Sequence, residues 1–217
     1  HMIVTIKDAA LTASIDSIGA QLISLKAEEG REYIWQRDAA YWPRCSPLLF
    51  PVVGNCRDNQ IVIGGTTFGL EKHGFCRDVD FTVSNQSSDH VTFTMCDSAE
   101  TKKAYPYAFM LSLSYQIYDG ILVMDYQISN TDTRPIHYCI GAHPGFNCTV
   151  SEGESFEDYL LVFEKKETAS AIAYDTEQLE FDPGRPGISL ENEDSIPLDR
   201  ELFRDDVIYF DRPQSRK

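Results

Sequence analysis

The chain has 217 residues, 42% hydrophobic and 24% charged, a balance that excludes a disordered tail, a collagen-like chain and a coiled coil and leaves one large β domain or two small α/β domains. Its net charge of −15, from 19 basic and 34 acidic side chains, repels phosphate backbones and anionic membranes, so nucleic acid and membrane surfaces are poor partners. No apolar run approaches the roughly 18 residues that span a bilayer.

His1-Met2 reads as the scar of a removed affinity tag, with the natural start at Met2. No basic stretch followed by an apolar one marks a secretory signal, so a cytoplasmic setting is expected. Next come Glu32-Tyr33-Ile34-Trp35 and Tyr41-Trp42-Pro43. Both tryptophans are expected in the core rather than as platforms for a sugar face. From Ser46 to Arg57, two prolines bracket an apolar run that ends at a charge. The Arg57 fork of donors suits hydroxyls, carboxylates or phosphates, the alternative being a surface pair with Asp58.

The middle of the chain has a period of two. Ile61-Val62-Ile63 and Thr66-Thr67-Phe68 flank Gly64-Gly65, and Phe81 to Val83 and Val91 to Met95 flank the polar turn Ser84 to His90. From Phe109 to Ile117 every odd position is apolar, the pattern of a half-buried strand. Asp119-Gly120 then separates it from a second apolar run, Ile121 to Ile128, which is a strong hairpin signal. Ile136 to Ile140 is a further expected strand, with His137 facing the core, whereas His90 is expected in a turn. Tyr159 to Phe163 and Val207 to Phe210 are later strands, Asp182 to Gly187 is a loop, and Ser155 to Tyr159 and Leu198 to Phe203 are short helical turns. Many short strands separated by turn residues predict an all-β sandwich or barrel. The reading is of one β domain over 2–217.

Two segments carry more chemistry than a turn requires: Lys72-His73-Gly74-Phe75-Cys76-Arg77 and Gly141-Ala142-His143-Pro144-Gly145-Phe146-Asn147. Each sets a histidine beside Gly and Phe in a turn, where a side chain is presented outward and titrates near neutral pH. Taken singly, each is as well read as a satisfied loop histidine. No His/Cys spacing supports a metal site, no nucleophile elbow occurs, and no glycine-rich phosphate loop points to a nucleotide. The six cysteines form no C-x-x-C pair and are expected to be small buried hydrophobes in a reducing compartment. Charge is unevenly spread. Residues 151–211 hold 18 acidic and 5 basic side chains, whereas residues 44–77 hold Arg44, Arg57, Lys72 and Arg77 against Asp58 and Glu71. The basic island could attract an anionic or polyhydroxylated molecule, or be chance.

Read in order, Gly19 to Leu25, Tyr33-Ile34-Trp35, Tyr41-Trp42, Pro47 to Gly54, His73 to Arg77 and His143 to Phe146 resemble the aldose 1-epimerase (galactose mutarotase-like) family, most closely its bacterial LacX-like branch. The resemblance implies a large antiparallel β-sandwich and a cofactor-free isomerase that interconverts the α and β anomers of a hexose. It implies His143 as general acid, His73 as a hydrogen-bond partner of the sugar, Arg57 as a ligand of sugar hydroxyls, and Asp206, in the Asp206 to Tyr209 stretch and with Asp205 as an equal neighbour, as another. The family's general base is a glutamate near the C-terminus in a segment close to E-P-W, and no such segment occurs here. The leading expectation is an aldose 1-epimerase-like enzyme; if the protein itself is short of the family's C-terminal strands and their base, sugar binding with poor turnover is expected instead. The alternatives are a non-catalytic sugar-binding or sensing protein and an epimerase of hexose 6-phosphates. No metal, cofactor, nucleic acid or membrane partner is expected, and the oligomeric state is left open.

Overall fold

A computed structural model describes residues 1–216. The chain divides into two compact units, residues 1–147 and the remainder from Cys148. The strands are β1 (Ile3–Lys7), β2 (Leu11–Asp16), β3 (Gln21–Ala27), β4 (Leu48–Leu49), β5 (Gln60–Ile63), β6 (Thr66–Gly69), β7 (Thr82–Gln86), β8 (His90–Cys96), β9 (Phe109–Tyr118), β10 (Ile121–Asn130), β11 (Gly141–Ala142), β12 (Leu160–Asp175) and β13 (Glu180–Pro197). Among the described residues helix is confined to one α turn, Thr101–Ala104, and four short 3-10 turns. The protein is all-β, and every strand pair within its sheets is antiparallel.

In the first unit, β1-β2-β3 form one sheet and β10-β9-β8-β7 another. The period of two explains their packing. Along β9, Phe109, Leu111, Leu113, Tyr115 and Ile117 are buried while the intervening residues are not. These rings and chains share one cluster with Val4, Ile6, Ala13, Ile15 and Leu22 of the first sheet and Val91 and Phe93 of β8. Each large apolar side chain closed off this way contributes about 1.5–3 kcal/mol. The Tyr115 hydroxyl donates to the Ala20 carbonyl at 2.6 Å, so the one polar atom driven into this layer is satisfied. Asp119-Gly120 makes the β9–β10 turn and Gly64-Gly65 the β5–β6 turn, as the sequence predicts. The β7–β8 turn is narrower than expected. His90 already pairs with Gln116 as the first residue of β8.

The second unit is a two-stranded β12–β13 ribbon with short turns. Here two expectations fail. Asp182 to Gly187 is not a free loop, because β13 runs through it, with irregular register between Ile172 and Ala173. The Val207 to Phe210 stretch forms a single bridge, Tyr209 to Ile172, rather than a strand. Asp206 just before it adopts a left-handed φ of 73°, which breaks extended backbone. The two expected helical turns are 3-10 turns, Phe156–Asp158 and Arg200–Phe203. In the first unit, Ile136 to Ile140 forms no strand and His137 is exposed. Its carbonyl instead accepts from the Tyr105 hydroxyl.

Candidate functional site

The Pro47 to Gly54 run enters the core at Phe50, whose ring is fully buried against Phe75, Tyr105, Phe109 and Tyr138. That anchoring brings the Phe50 backbone against the His73 loop. The Phe50 N–H donates to the His73 carbonyl at 3.2 Å, and Phe75 N–H returns a bond to Phe50 at 3.1 Å. Gly74 sits where they cross, at φ 71°, and a Cβ there would overlap the Phe50 carbonyl. No other residue type fits. His73 itself is left-handed, at φ 68°, a conformation that persists for a non-glycine residue only when its surroundings hold it.

What holds it is Gly54. The Gly54 N–H donates to His73 Nδ1 at 3.0 Å, and the His73 N–H donates to the Gly54 carbonyl at 2.9 Å. With Nδ1 accepting, the neutral ring carries its proton on Nε2 and offers a donor there. Burial, followed by the positive charges of Lys72, His143, Arg77 and Arg44, pushes the His73 pKa down to about 4. At neutral pH this ring is an uncharged hydrogen-bond donor.

The His143 segment is held from two sides. β11 pairs with β4, Gly141 opposite Leu49. Beyond the histidine, Gly145 N–H donates to the Cys45 carbonyl at 2.5 Å, Gly145 accepts from Trp35 N–H at 2.9 Å, and the Asn147 amide reaches the carbonyls of Glu32 and Ile34 at 3.0 and 3.1 Å. A Cβ on Gly145 would lie 2.8 Å from the Trp42 indole and 3.1 Å from the Trp35 Cβ, so the loop packs closely against both residues. This seats the His143 ring 5.0 Å from Trp42 and 5.6 Å from His73, centroid to centroid. His143 is exposed, and Phe146 beside it is 60% exposed.

The structure thus brings together two histidines 70 positions apart in the sequence. Arg57 is exposed at the start of the 3-10 turn Arg57–Asn59, three residues after the Gly54 that holds His73. Asp206 is an exposed residue of the second unit, and its neighbour Asp205 pairs with Arg185 at 3.9 Å. The expectation that both tryptophans are core holds in part for Trp35, which packs against the core cluster, and is corrected for Trp42. Each is half-buried, Trp35 donating from Nε1 to the Trp42 carbonyl at 2.8 Å, and Trp42 faces His143. The neighbouring Pro43 and charged Arg44 were the available signal that Trp42 stands near the surface. The cysteines are also not uniformly core. All six are free, Cys45 and Cys76 are buried, and Cys96 and Cys139 are exposed. Among the described residues no group of three or more His, Cys, Asp or Glu side chains could hold a metal ion, and no helix is long and apolar enough to cross a membrane.

Residues 2–192 match the sequence model of aldose 1-epimerase. The chain belongs to the aldose 1-epimerase family. It is 35% identical over 223 residues to the LacX protein of Lactococcus lactis subsp. lactis, an alignment covering 99% of this chain and 74% of that protein. The fold is similar to that of a galactose mutarotase related enzyme from Lactobacillus acidophilus, with a TM-score of 0.89 at 30% identity, covering 94% of this chain and 68% of the other. It is likewise similar to a galactose mutarotase-like protein from Lactobacillus casei, with a TM-score of 0.82 at 32% identity, covering 93% and 69%. Membership in this epimerase family implies a sugar substrate and an isomerase class of reaction.

Proposed function

We propose that this protein binds a hexose against the His73–His143 pair and interconverts its anomers without a cofactor. The observation that carries this is the unequal environment of two histidines 5.6 Å apart. One is half-buried, fixed in tautomer and uncharged, and the other is exposed. A close pair with divergent environments separates acid from hydrogen-bond donor. In this reading His143 gives a proton to the ring oxygen as the C1–O5 bond breaks. A base takes the proton of the C1 hydroxyl, and C1 becomes a carbonyl. Rotation about C1–C2 presents the other carbonyl face, and the same transfers run backward to close the ring. His73 donates from Nε2 to a sugar oxygen, and Arg57 engages hydroxyls through its fork. None of these three residues fills the role of the base.

A cytoplasmic site of action fits six unpaired thiols, and both compact units are read as parts of one mutarotase-like domain. The second reading is a sugar-binding protein without turnover, since none of His143, His73 and Arg57 fills the role of the base. Polarimetry of freshly dissolved hexoses, paired with calorimetric titration, separates the two. Acceleration that disappears in His143→Ala supports the epimerase, and heat of binding without acceleration selects the second reading. Unchanged acceleration by His143→Ala removes that residue from the mechanism.

A further inference from the structure

Gln21, the first residue of β3, is buried and takes no part in the anomerisation chemistry. Its side-chain oxygen collects three donors from one irregular stretch of chain: the Ser46 N–H at 3.0 Å, the Cys45 N–H at 3.2 Å and the Cys45 thiol at 3.5 Å. Cys45 and Ser46 are themselves buried and lie outside any strand, so no ladder satisfies their amides. An apolar side chain in place of Gln21 would leave two buried N–H groups without this partner.

The same contact reaches the histidine loop. The Ser46 N–H and the Cys45 carbonyl belong to one peptide unit. Among the described residues the only cis peptide bond is Phe50-Pro51, so this unit is trans and its two ends point in opposite directions. One end is gripped by Gln21, and the other accepts the Gly145 N–H at 2.5 Å. The unit cannot turn without losing both bonds, and hydrogen bonds chained in this way polarise one another. Trp42, in the same stretch, meets the loop a second time, its ring against Gly145 and 5.0 Å from the His143 imidazole. Only Pro144 separates Gly145 from His143, and it fixes its own φ and restricts the residue before it. On the other side Gly141 and Ala142 pair with β4. His143 therefore sits between two anchors, and Gln21 sets the second.

We propose that Gln21 is a positioning residue that aims the His143 imidazole through the Cys45–Ser46 peptide unit. This rests on the reading of His143 as the group that gives its proton to the sugar ring. The test pairs NMR of the full chain with polarimetry of fresh hexose solutions. Gln21→Met keeps the length of the side chain and removes the oxygen, whereas Gln21→Glu keeps an acceptor. Tyr115→Phe, which deletes a buried hydrogen bond to the neighbouring Ala20 carbonyl, is the control. In Gln21→Met the Gly145 amide and His143 ring signals should move and those of His73 should stay. Turnover should fall about 10²-fold while KM changes by less than about twofold. Gln21→Glu should recover both signals and most of the turnover, and Tyr115→Phe should lower the melting temperature and leave both readouts alone. If Gln21→Met does not fold, Gln21→Asn, one methylene shorter, replaces it in both measurements. Unmoved Gly145 and His143 signals, a shift of equal size in Tyr115→Phe, or no recovery in Gln21→Glu overturns this inference alone. Unaltered protein that accelerates no hexose overturns the sugar reading, and the NMR signals still decide whether Gln21 aims the ring.

Discussion

The two compact units hold themselves together by different means. The first closes off Phe50, Phe93, Tyr105, Phe109 and Tyr115, whereas the buried side chains described beyond Asn147 are Ala171, Ala173, Leu190, Ile196, Leu198 and one carboxylate, Glu167. There Leu160, Leu161, Val162 and Phe181 stay exposed, amid 18 acidic side chains between residues 151 and 211. The second unit's ring contacts, such as Tyr174–Phe181 and Phe181–Tyr209, are not buried, and Glu167 accepts from the Gln214 and Ser215 amides at 3.0 and 2.6 Å, while the Lys165 amide donates to the Ser215 hydroxyl at 2.9 Å. A dense apolar core is stiff enough to force a histidine into left-handed backbone. A ribbon tied by carboxylate contacts responds instead to pH.

The sharpest way to break this contrast is at Gly74. Gly74→Ala drives a methyl group into the Phe50 carbonyl and should cost more than about 4 kcal/mol, with loss of the cooperative melt. Gly153→Ala, at a similar φ of 87° but in open space, should cost only about 1–2 kcal/mol. Comparable melting temperatures for the two variants would refute the idea that the His73 loop is clamped. A smaller effect is expected from Glu167→Gln. Hydrogen exchange at the amides of Lys165, Gln214 and Ser215 should quicken while β8 and β9 keep their protection, and uniform quickening would mean that the latch supports more than its own ribbon. Contacts to Ser215 and Gln214 hold the Glu167 carboxyl below its usual range. Its contribution is therefore fully present above the pKa of an unfolded glutamate and fades as pH falls through the lower folded value.

The smallest effect sits at His73, whose pKa of about 4 lies below the ordinary 6.5. Between those values the unfolded chain binds a proton that the folded one does not, so stability rises with pH across this window and is lost as pH falls toward 4. An NMR titration of the His73 ring should show a midpoint near 4. A midpoint above 6 would mean that the ring is wetter than its contacts imply.

How much was legible in the sequence follows the same division. Alternation announced β9 because one face of that strand is buried and the other is not. β13 is exposed at most positions of both faces, and a strand wet on both sides leaves no alternation to find. Asp182 to Gly187 therefore read as a loop. The two histidine segments stood out as chemistry, but their meeting did not, because it depends on a backbone crossing at Gly74 and on the Trp42 indole against Gly145. His137 misled because an apolar run beside it looked like a strand, although its backbone is used to satisfy Tyr105.

The chain contains two tryptophans, and both lie under the loop that carries His143, Trp42 with its ring 5.0 Å from the imidazole. All of the indole fluorescence of the protein therefore originates at one place. Protonation of that imidazole, or arrival of a guest on it, should alter the emission directly, so the molecule reports on its own occupancy without any added dye.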